Sequence, residues 1–205
     1  AVEDVLAGYY DRAFCAVRPP GHHAESRLAM GFCFLNSVAI AALHALEAGG
    51  LERVAILDFD VHHGNGTVEI LREDPRVLVC SSFQHPFYPN RMLEPVGETV
   101  VLTPLAAGTG GAGFRRALER DWLPALERHR PELVLVSAGF DGHRDDPLAE
   151  LELLAEDYAW VTRLITTAAA AEARGRVISL LEGGYDLRAL ADSVEAHVRG
   201  LLEAP

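Results

Sequence analysis

The sequence is short of positive charge, and this limits the partners it can bind. Its 205 residues contain 18 lysine and arginine residues against 30 aspartate and glutamate residues, which gives a net charge of −12. Non-specific binding to nucleic acid needs a basic face, so we expect no nucleic-acid partner. An acidic surface suits a cationic small molecule or peptide as substrate, although it also serves solubility.

Cysteine pairs and long apolar runs are missing too. Three cysteines without a C-x-x-C motif favour free thiols in a reducing compartment. No basic segment followed by an apolar core opens the chain, and the longest apolar stretch, near residues 164–171, contains two threonines. We therefore expect no membrane partner and a cytoplasmic location. Because the first residue is alanine, we expect a processed chain or a fragment.

Apolar runs alternate with helical patterns, without a linker or a repeat. The predicted strands are 12–17 (short and buried), 53–59, 76–81, 99–105, 132–137 and 176–181. The predicted helices are 34–48, 66–73, 113–129 (broken near Pro124), 155–174 and 187–202. This alternation predicts an α/β fold: a doubly wound, mostly parallel sheet with helices on both faces.

Polar, turn-rich segments follow most of the predicted strands. They are residues 18–23, 58–66, 81–89, 138–143 and 182–186. Doubly wound sheets bind ligands outside the carboxyl ends of their strands, where these segments would meet. Loops of this kind carry functional groups, so we expect one site at this edge of the sheet.

Asp60 and His62 are candidate metal ligands. Two residues apart in extended chain, their side chains point to the same side. Asp141, at the end of another predicted strand, is the natural third ligand. Three protein ligands leave a position open for water, as in catalytic metal sites, and this donor set fits zinc, Fe(II), Co(II) or Mn(II). The alternative is that the two aspartates are turn and cap residues.

The adjacent His22 and His23 need polar partners if they are buried. Asp58 and Asn65 flank the candidate metal loop and could each accept one ring N–H. A histidine held by a carboxylate is favoured as imidazolium, whereas one held by an amide need not be. Such a difference would separate an electrostatic helper from a general base. The alternative is a pair of surface histidines.

Aromatic residues could complete the site. Tyr185 follows two glycines and could donate its hydroxyl to a developing oxyanion. Phe32 and Tyr88 could wall a narrow slot. Taken alone, such aromatic residues are more often core residues, and this is the alternative for all three. His197 lies on a helical pattern, and we expect it to be structural.

The segments RPPGHHA, GFCFLN, DFDVHHGNGT, SAGFDGHRDDPL and LEGGY occur in this order. Together they resemble the histone deacetylase and acetylpolyamine amidohydrolase family, in its bacterial, class II-like form. The resemblance runs from about Asp11 to the end and implies the arginase–deacetylase fold and metal-dependent hydrolysis of an acetamide. The family's domain begins well upstream, so residues 1–205 are expected to be a single deacetylase-like catalytic domain without its usual N-terminal segment.

The resemblance also implies roles for individual residues, position by position. The implied zinc ligands are Asp60, His62 and Asp141. The implied catalytic residues are His22, His23, Tyr185, Asp58 and Asn65. The implied walls of an acyl-lysine channel are Gly31, Phe32 and Tyr88. A monovalent cation such as K⁺ would take side-chain ligands from Asp58 and Ser81. The implied substrate is an acetylated lysine or an acetylated polyamine, between which the sequence does not decide.

Two alternatives remain open at this point. An arginase-like ureohydrolase with two manganese ions would want a second acid two residues beyond Asp141, where His143 stands. A catalytically inactive acyl-lysine binding module would share the pocket without the chemistry. The chain also departs from many relatives at Asn90-Arg91-Met92, where they have Gly-Thr-Gly, and at Phe83, where they have histidine. The oligomeric state is not indicated by the sequence.

Overall fold

Six parallel strands form one sheet in the computed structural model, which describes residues 1–94 and 97–204. The strands are β1 (Arg12–Cys15), β2 (Val54–Asp58), β3 (Val77–Gln84), β4 (Val100–Leu105), β5 (Leu133–Ala138) and β6 (Val177–Leu181). Their order across the sheet is β1-β6-β5-β2-β3-β4, and every neighbouring pair is parallel. Each of the six overlaps a predicted strand, although β1 ends two residues earlier than predicted and β3 runs three residues further.

Six helices accompany the described part of the sheet. They are α1 (Val2–Leu6), α2 (Ser37–Glu47), α3 (Asn65–Leu71), α4 (Gly111–His129), α5 (Ala155–Glu172) and α6 (Leu187–Glu203). Five of them were predicted, and the short α1 was not. None of the described helices is long and apolar enough to cross a membrane.

The central strand β2 shows why the sheet is covered on both faces. Leu57 points into a core shared with α4, α5 and α6, whereas Ile56 points into a second core shared with α1, α2 and α3. Neighbouring side chains of a strand face opposite sides, so a strand buried on both faces must be apolar throughout. The predicted doubly wound α/β fold is confirmed.

Two details of the prediction were wrong. Helix α4 is not broken near Pro124 but runs through it. Pro124 and Arg120, whose carbonyl loses its usual partner four residues on, are both exposed, so water can take the missing hydrogen bond. Strand β1 is half-buried rather than buried, because it is an edge strand that pairs only with β6.

The sheet places β2 and β5 side by side at the point where the chain order reverses. Asp58, the last residue of β2, lies in register with Ser81 of β3 and Ser137 of β5. The segments that leave these carboxyl ends therefore start together. This is the place where open α/β sheets bind their ligands.

Candidate active site

Asp60, His62 and Asp141 meet just beyond the carboxyl ends of β2 and β5. His62 Nδ1 lies 3.0 Å from Asp60 Oδ1 and 3.1 Å from Asp141 Oδ2. Both carboxylates are buried, and the three side chains offer ligand atoms that all lie within 4.8 Å of one another. The structure thus brings together the three residues that the sequence singled out as metal ligands.

Backbone contacts hold the two carboxylates in place. Gly183 N donates to Asp60 Oδ2 at 2.8 Å, and Val61 N donates to Asp141 Oδ1 at 3.0 Å. A Cβ atom at Gly183 would collide with Asp141, so only glycine allows the chain to approach so closely. The second oxygen of Asp141 remains turned towards His62.

The charge of this cluster fits a divalent cation. Burial raises the pKa of Asp141 to about 6, whereas His22 and His62 hold the pKa of Asp60 well below its usual range against the effect of burial. Burial would lower the pKa of His62, but hydrogen bonds to Asp141 and Asp60 raise it to about 10. Two buried carboxylates around one imidazole are costly without a cation. The residues present could therefore hold a divalent metal ion through carboxylate oxygens and one imidazole nitrogen.

The two adjacent histidines are buried and have different partners. His22 Nδ1 lies 2.9 Å from Asp58 Oδ2, and His23 Nδ1 lies 2.8 Å from Asn65 Oδ1. Their ring centroids are 4.1 Å apart. These are the partners that the sequence suggested, and the alternative of surface histidines is excluded by their burial.

The surroundings of the two rings shift their pKa values in opposite directions. Burial would lower the pKa of His22, but the negative charges of Asp58, Asp60 and Glu182 raise it well above its usual value. Burial and the neighbouring His22 lower the pKa of His23 to about 3. These shifts favour the imidazolium form of His22 and the neutral form of His23.

Glu182 anchors the histidine loop, and the sequence analysis did not single it out. Its Oε2 accepts hydrogen bonds from Gly21 N at 2.7 Å and His22 N at 3.2 Å, and its Oε1 accepts from Ser137 Oγ at 3.1 Å. Arg18 Nη1 donates to the Glu182 carbonyl at 2.7 Å. A buried acid at the end of a strand, within the LEGGY segment, was the available signal.

A cavity of about 340 Å³ opens over His62 and His23. Its lining residues are His23, Gly31, Phe32, His62, Tyr88, Leu148 and Tyr185. The set contains the predicted channel residues together with Leu148, which the sequence analysis did not single out. A mostly apolar channel that ends at polar groups suits a linear acyl chain or alkyl amine.

The geometry of the cavity depends on the loops that surround it. Gly31 has φ +55° and lies against the His23 ring, so that a Cβ atom there would collide with the ring. The Phe32 ring lies 6.2 Å from the Tyr185 ring across the cavity, and Tyr88 lies 5.3 Å from His23. Asp146 Oδ2 accepts from Tyr185 N at 2.7 Å, which fixes where Tyr185 leaves its loop. Burial raises the pKa of Tyr185, so its hydroxyl stays protonated and can donate.

Asp58 and Ser81, the implied side-chain ligands of a monovalent cation, are buried register neighbours on β2 and β3. Asp58 Oδ1 accepts from Asp60 N at 3.1 Å, and its Oδ2 faces His22. Ser81 Oγ lies 3.0 Å from His63 Nδ1. The two side chains are therefore adjacent in the sheet but already have protein partners.

Comparison with known proteins gives concordant matches. A family model described as the histone deacetylase domain matches residues 1–201. The "Histone deacetylase-like amidohydrolase" of Pseudomonas aeruginosa is 42% identical over 90% of this chain and 50% of its own length. The "Polyamine deacetylase HDAC10" of Mus musculus is 41% identical over 100% of this chain and 32% of its own.

A solved structure gives the same result for the fold. The HDA15 HD domain superposes with a TM-score of 0.91 at 36% identity, over 100% of this chain and 60% of that one. The chain spans 13% of the length of one curated relative that it matches and 65% of the length of another. The match over residues 1–201 nevertheless covers nearly the whole chain. The chain belongs to the histone deacetylase domain family.

Proposed function

We propose that this chain is the catalytic part of a zinc-dependent hydrolase that removes acetyl groups from an acetyl-lysine or acetylpolyamine amide. One observation carries the proposal: a single cavity exposes His62 of the Asp60–His62–Asp141 cluster, the neutral His23 and the protonated Tyr185. Relatives named as deacetylases and amidohydrolases support the same reaction class.

Asp60, His62 and Asp141 would hold the zinc. When bound, it would supply the Lewis acid that polarises the amide carbonyl and acidifies a water molecule. His23 donates its Nδ1–H to Asn65, which leaves the Nε2 lone pair free to take a proton from the attacking water. The imidazolium so formed gives that proton to the leaving amine. The products are acetate and a free amine.

The remaining groups stabilise charge. Tyr185 donates its hydroxyl to the oxyanion of the tetrahedral intermediate. His22, held as imidazolium by Asp58, adds a fixed positive charge beside His23. This charge disfavours early protonation of His23 and so keeps the base available.

The channel favours a slender substrate, and the charge favours a cationic one. Phe32, Tyr88 and Leu148 offer apolar walls for an alkyl chain. The net charge of −12 attracts both polyamines and lysine-rich peptides. We therefore keep acetyl-lysine and acetylpolyamine as the two substrate classes.

We also propose K⁺ as a structural ion at the adjacent, buried Asp58 and Ser81.

The test is acetate release from an acetyl-lysine peptide and from acetylputrescine. Metal-stripped protein is reloaded with zinc, Fe(II) or Co(II), and bound metal is measured in the same samples. The chain has no lysine, so acetate cannot come from acetylated lysines of the enzyme itself. We expect one metal ion per chain and release that depends on it. A folded chain that binds no metal would contradict the proposal.

Two variants separate catalysis from binding. Asp141→Ala should abolish both metal binding and turnover. Tyr185→Phe should keep the metal and lower kcat by roughly 100- to 1000-fold, the range for loss of one oxyanion donor. Tyr158→Phe is the matched control, because the Tyr158 hydroxyl is buried without a partner among the described residues and lies outside the cavity. A Tyr185→Phe protein with unchanged kcat would favour another role for this residue. Wild-type protein that binds the substrate without turnover would indicate a binding module.

A further inference from the structure

The amide of Asn65 makes different contacts at its two ends. Its Oδ1 faces His23 Nδ1 at 2.8 Å, while its Nδ2 donates to Glu25 Oε1 at 2.7 Å. Two weaker acceptors, His23 O at 3.5 Å and Met30 Sδ at 3.4 Å, lie around the same Nδ2. The nitrogen end is thus surrounded by acceptors, with Glu25 the strongest of them.

This difference between the two ends matters because the side-chain amide of asparagine can flip. Rotation by 180° exchanges its oxygen and nitrogen with little change in shape. The turned amide would present N–H groups to His23 Nδ1, which would then have to accept, and the ring proton would move to Nε2. A histidine with a proton on Nε2 cannot take a proton at that atom. A carboxylate next to Nδ2 prevents the rotation of the Asn65 amide, because a carboxylate accepts hydrogen bonds and cannot donate them.

Glu25 is itself held in place. Arg91 donates from Nε to Glu25 Oε1 at 3.0 Å and from Nη2 to Glu25 Oε2 at 2.8 Å. The Glu25 side chain is only 8% exposed, whereas that of Arg91 is 45% exposed. A guanidinium that grips both oxygens of a carboxylate fixes its plane as well as its position.

We propose that Glu25 and Arg91 are positioning residues that fix the orientation of the Asn65 amide and, through it, the Nδ1–H tautomer of His23. Arg91 orients Glu25, Glu25 orients Asn65, and Asn65 leaves the Nε2 atom of His23 unprotonated and directed at the cavity. The inference rests on the proposed function in that it takes His23 as the general base. It gives a task to Arg91, which stands in the segment where the chain departs from many relatives.

The first test compares two replacements of Glu25. Glu25→Gln keeps an acceptor oxygen for Asn65 Nδ2, whereas Glu25→Met keeps the length of the side chain and removes every strong acceptor. We expect Glu25→Met to lower kcat by roughly 10- to 100-fold with little change in KM, and Glu25→Gln to restore most of it. A purely structural role would lower stability in both variants without this difference in kcat.

The second test reads the tautomer directly and needs no turnover. Long-range ¹H–¹⁵N spectra of the imidazoles, with His23 assigned from the His23→Gln variant, distinguish Nδ1–H from Nε2–H rings. We expect the Nδ1–H form in the wild type and in Glu25→Gln, and a substantial Nε2–H fraction in Glu25→Met. An unchanged Nδ1–H ring in Glu25→Met would overturn the inference.

Arg91→Ala is the second variant, and it serves if Glu25→Met does not fold. We expect a loss in kcat of roughly 3- to 10-fold, smaller than for Glu25→Met because Glu25 remains in place. Arg27→Ala removes an exposed arginine from the loop that carries Glu25 and should change neither kcat nor the spectrum. Equal effects of Arg91→Ala and Arg27→Ala on kcat and the spectrum would also overturn the inference. If the wild type releases no acetate, the proposed function fails, while the spectra still decide the tautomer.

Discussion

Buried histidines of this chain have different kinds of partner, as a comparison of His197 with the pair His22 and His23 shows. His197 of α6 has hydroxyl partners: Nδ1 lies 2.6 Å from Thr162 Oγ1, and Nε2 lies 2.8 Å from Ser179 Oγ. His22 and His23 have a carboxylate and an amide instead. All three rings are buried, so burial by itself does not distinguish a functional histidine from a structural one.

The surrounding charge makes the difference. Burial alone lowers the pKa of His197 to about 3, and a neutral ring satisfies both hydroxyls. Beside His22, buried carboxylates outweigh burial and keep that ring charged. A neutral network with every bond made supports the fold, whereas a buried cluster of unbalanced charge indicates a site that binds or reacts with something else.

The strongest test of this difference replaces His23 in one variant and His197 in another. His23→Gln removes the residue that we propose as the general base and should lower kcat by roughly 100- to 10,000-fold. His197→Gln should leave kcat unchanged at temperatures where the protein is folded, while lowering its melting temperature. Acetate release and thermal unfolding of both variants measure this contrast. A large loss of kcat in folded His197→Gln would show that the division into functional and structural histidines is wrong.

The sheet was predictable because its strands are covered on both faces. Residues 53–59 and 132–137 are built around continuous apolar runs, and such runs can be recognised without knowledge of the neighbouring strands. The edge strand β1 was predicted as buried, because the run itself does not reveal how many neighbours a strand will have. The predicted break near Pro124 was wrong for a similar reason. A helix tolerates proline where the proline and the carbonyl that it leaves unpaired face water, and the sequence alone does not show which side of the helix is exposed.

The candidate site was predictable where its residues stand within short motifs. Asp60, His62 and Tyr185 each follow a strand closely, so the sheet alone brings them together. Glu25 and Glu182 were not singled out, because their partners lie far along the chain. Glu182 contacts a loop 161 residues away, and the Glu25–Arg91 pair spans 66 residues. Such contacts depend on how the loops fold over the sheet edge.

Acid titration gives a second, smaller contrast. His197 has a pKa of about 3 in the folded chain and an ordinary value of 6.5 when unfolded. Its contribution to stability is therefore complete above pH 6.5 and is lost as the pH falls towards 3, because only the unfolded state binds the proton. The loss is about 1.4 kcal/mol per pH unit within this window.

His197→Gln removes this titration. Between pH 7 and pH 5 the free energy of unfolding should fall by about 2 kcal/mol less in the variant than in the wild type. Urea unfolding of the metal-free proteins at both pH values measures the difference. Identical pH dependence of the two proteins would mean that His197 takes up a proton in the folded state, and that its pocket is less apolar than its neighbours suggest.

The smallest effect concerns two serines near His197. Thr162 Oγ1 donates to the Tyr158 carbonyl at 2.6 Å, so it accepts from His197 Nδ1, and His197 Nε2 is left to accept from Ser179. Ser179→Ala leaves that nitrogen buried without a donor and should lower the free energy of unfolding by about 1 kcal/mol. Ser193 stands one turn before His197 on α6, and its Oγ is buried without a partner among the described residues.

Ser193→Ala is therefore the matched control, because it removes a buried hydroxyl of the same kind that makes no hydrogen bond to the part of the chain that the structure describes. Deleting an unsatisfied polar atom should leave stability unchanged or raise it slightly. Urea unfolding at neutral pH distinguishes the two variants, and kcat should be the same in both. If the two alanine variants are equally destabilised, cavity formation rather than the bond to His197 determines the cost, and the network around His197 contributes less to the fold than its short distances indicate.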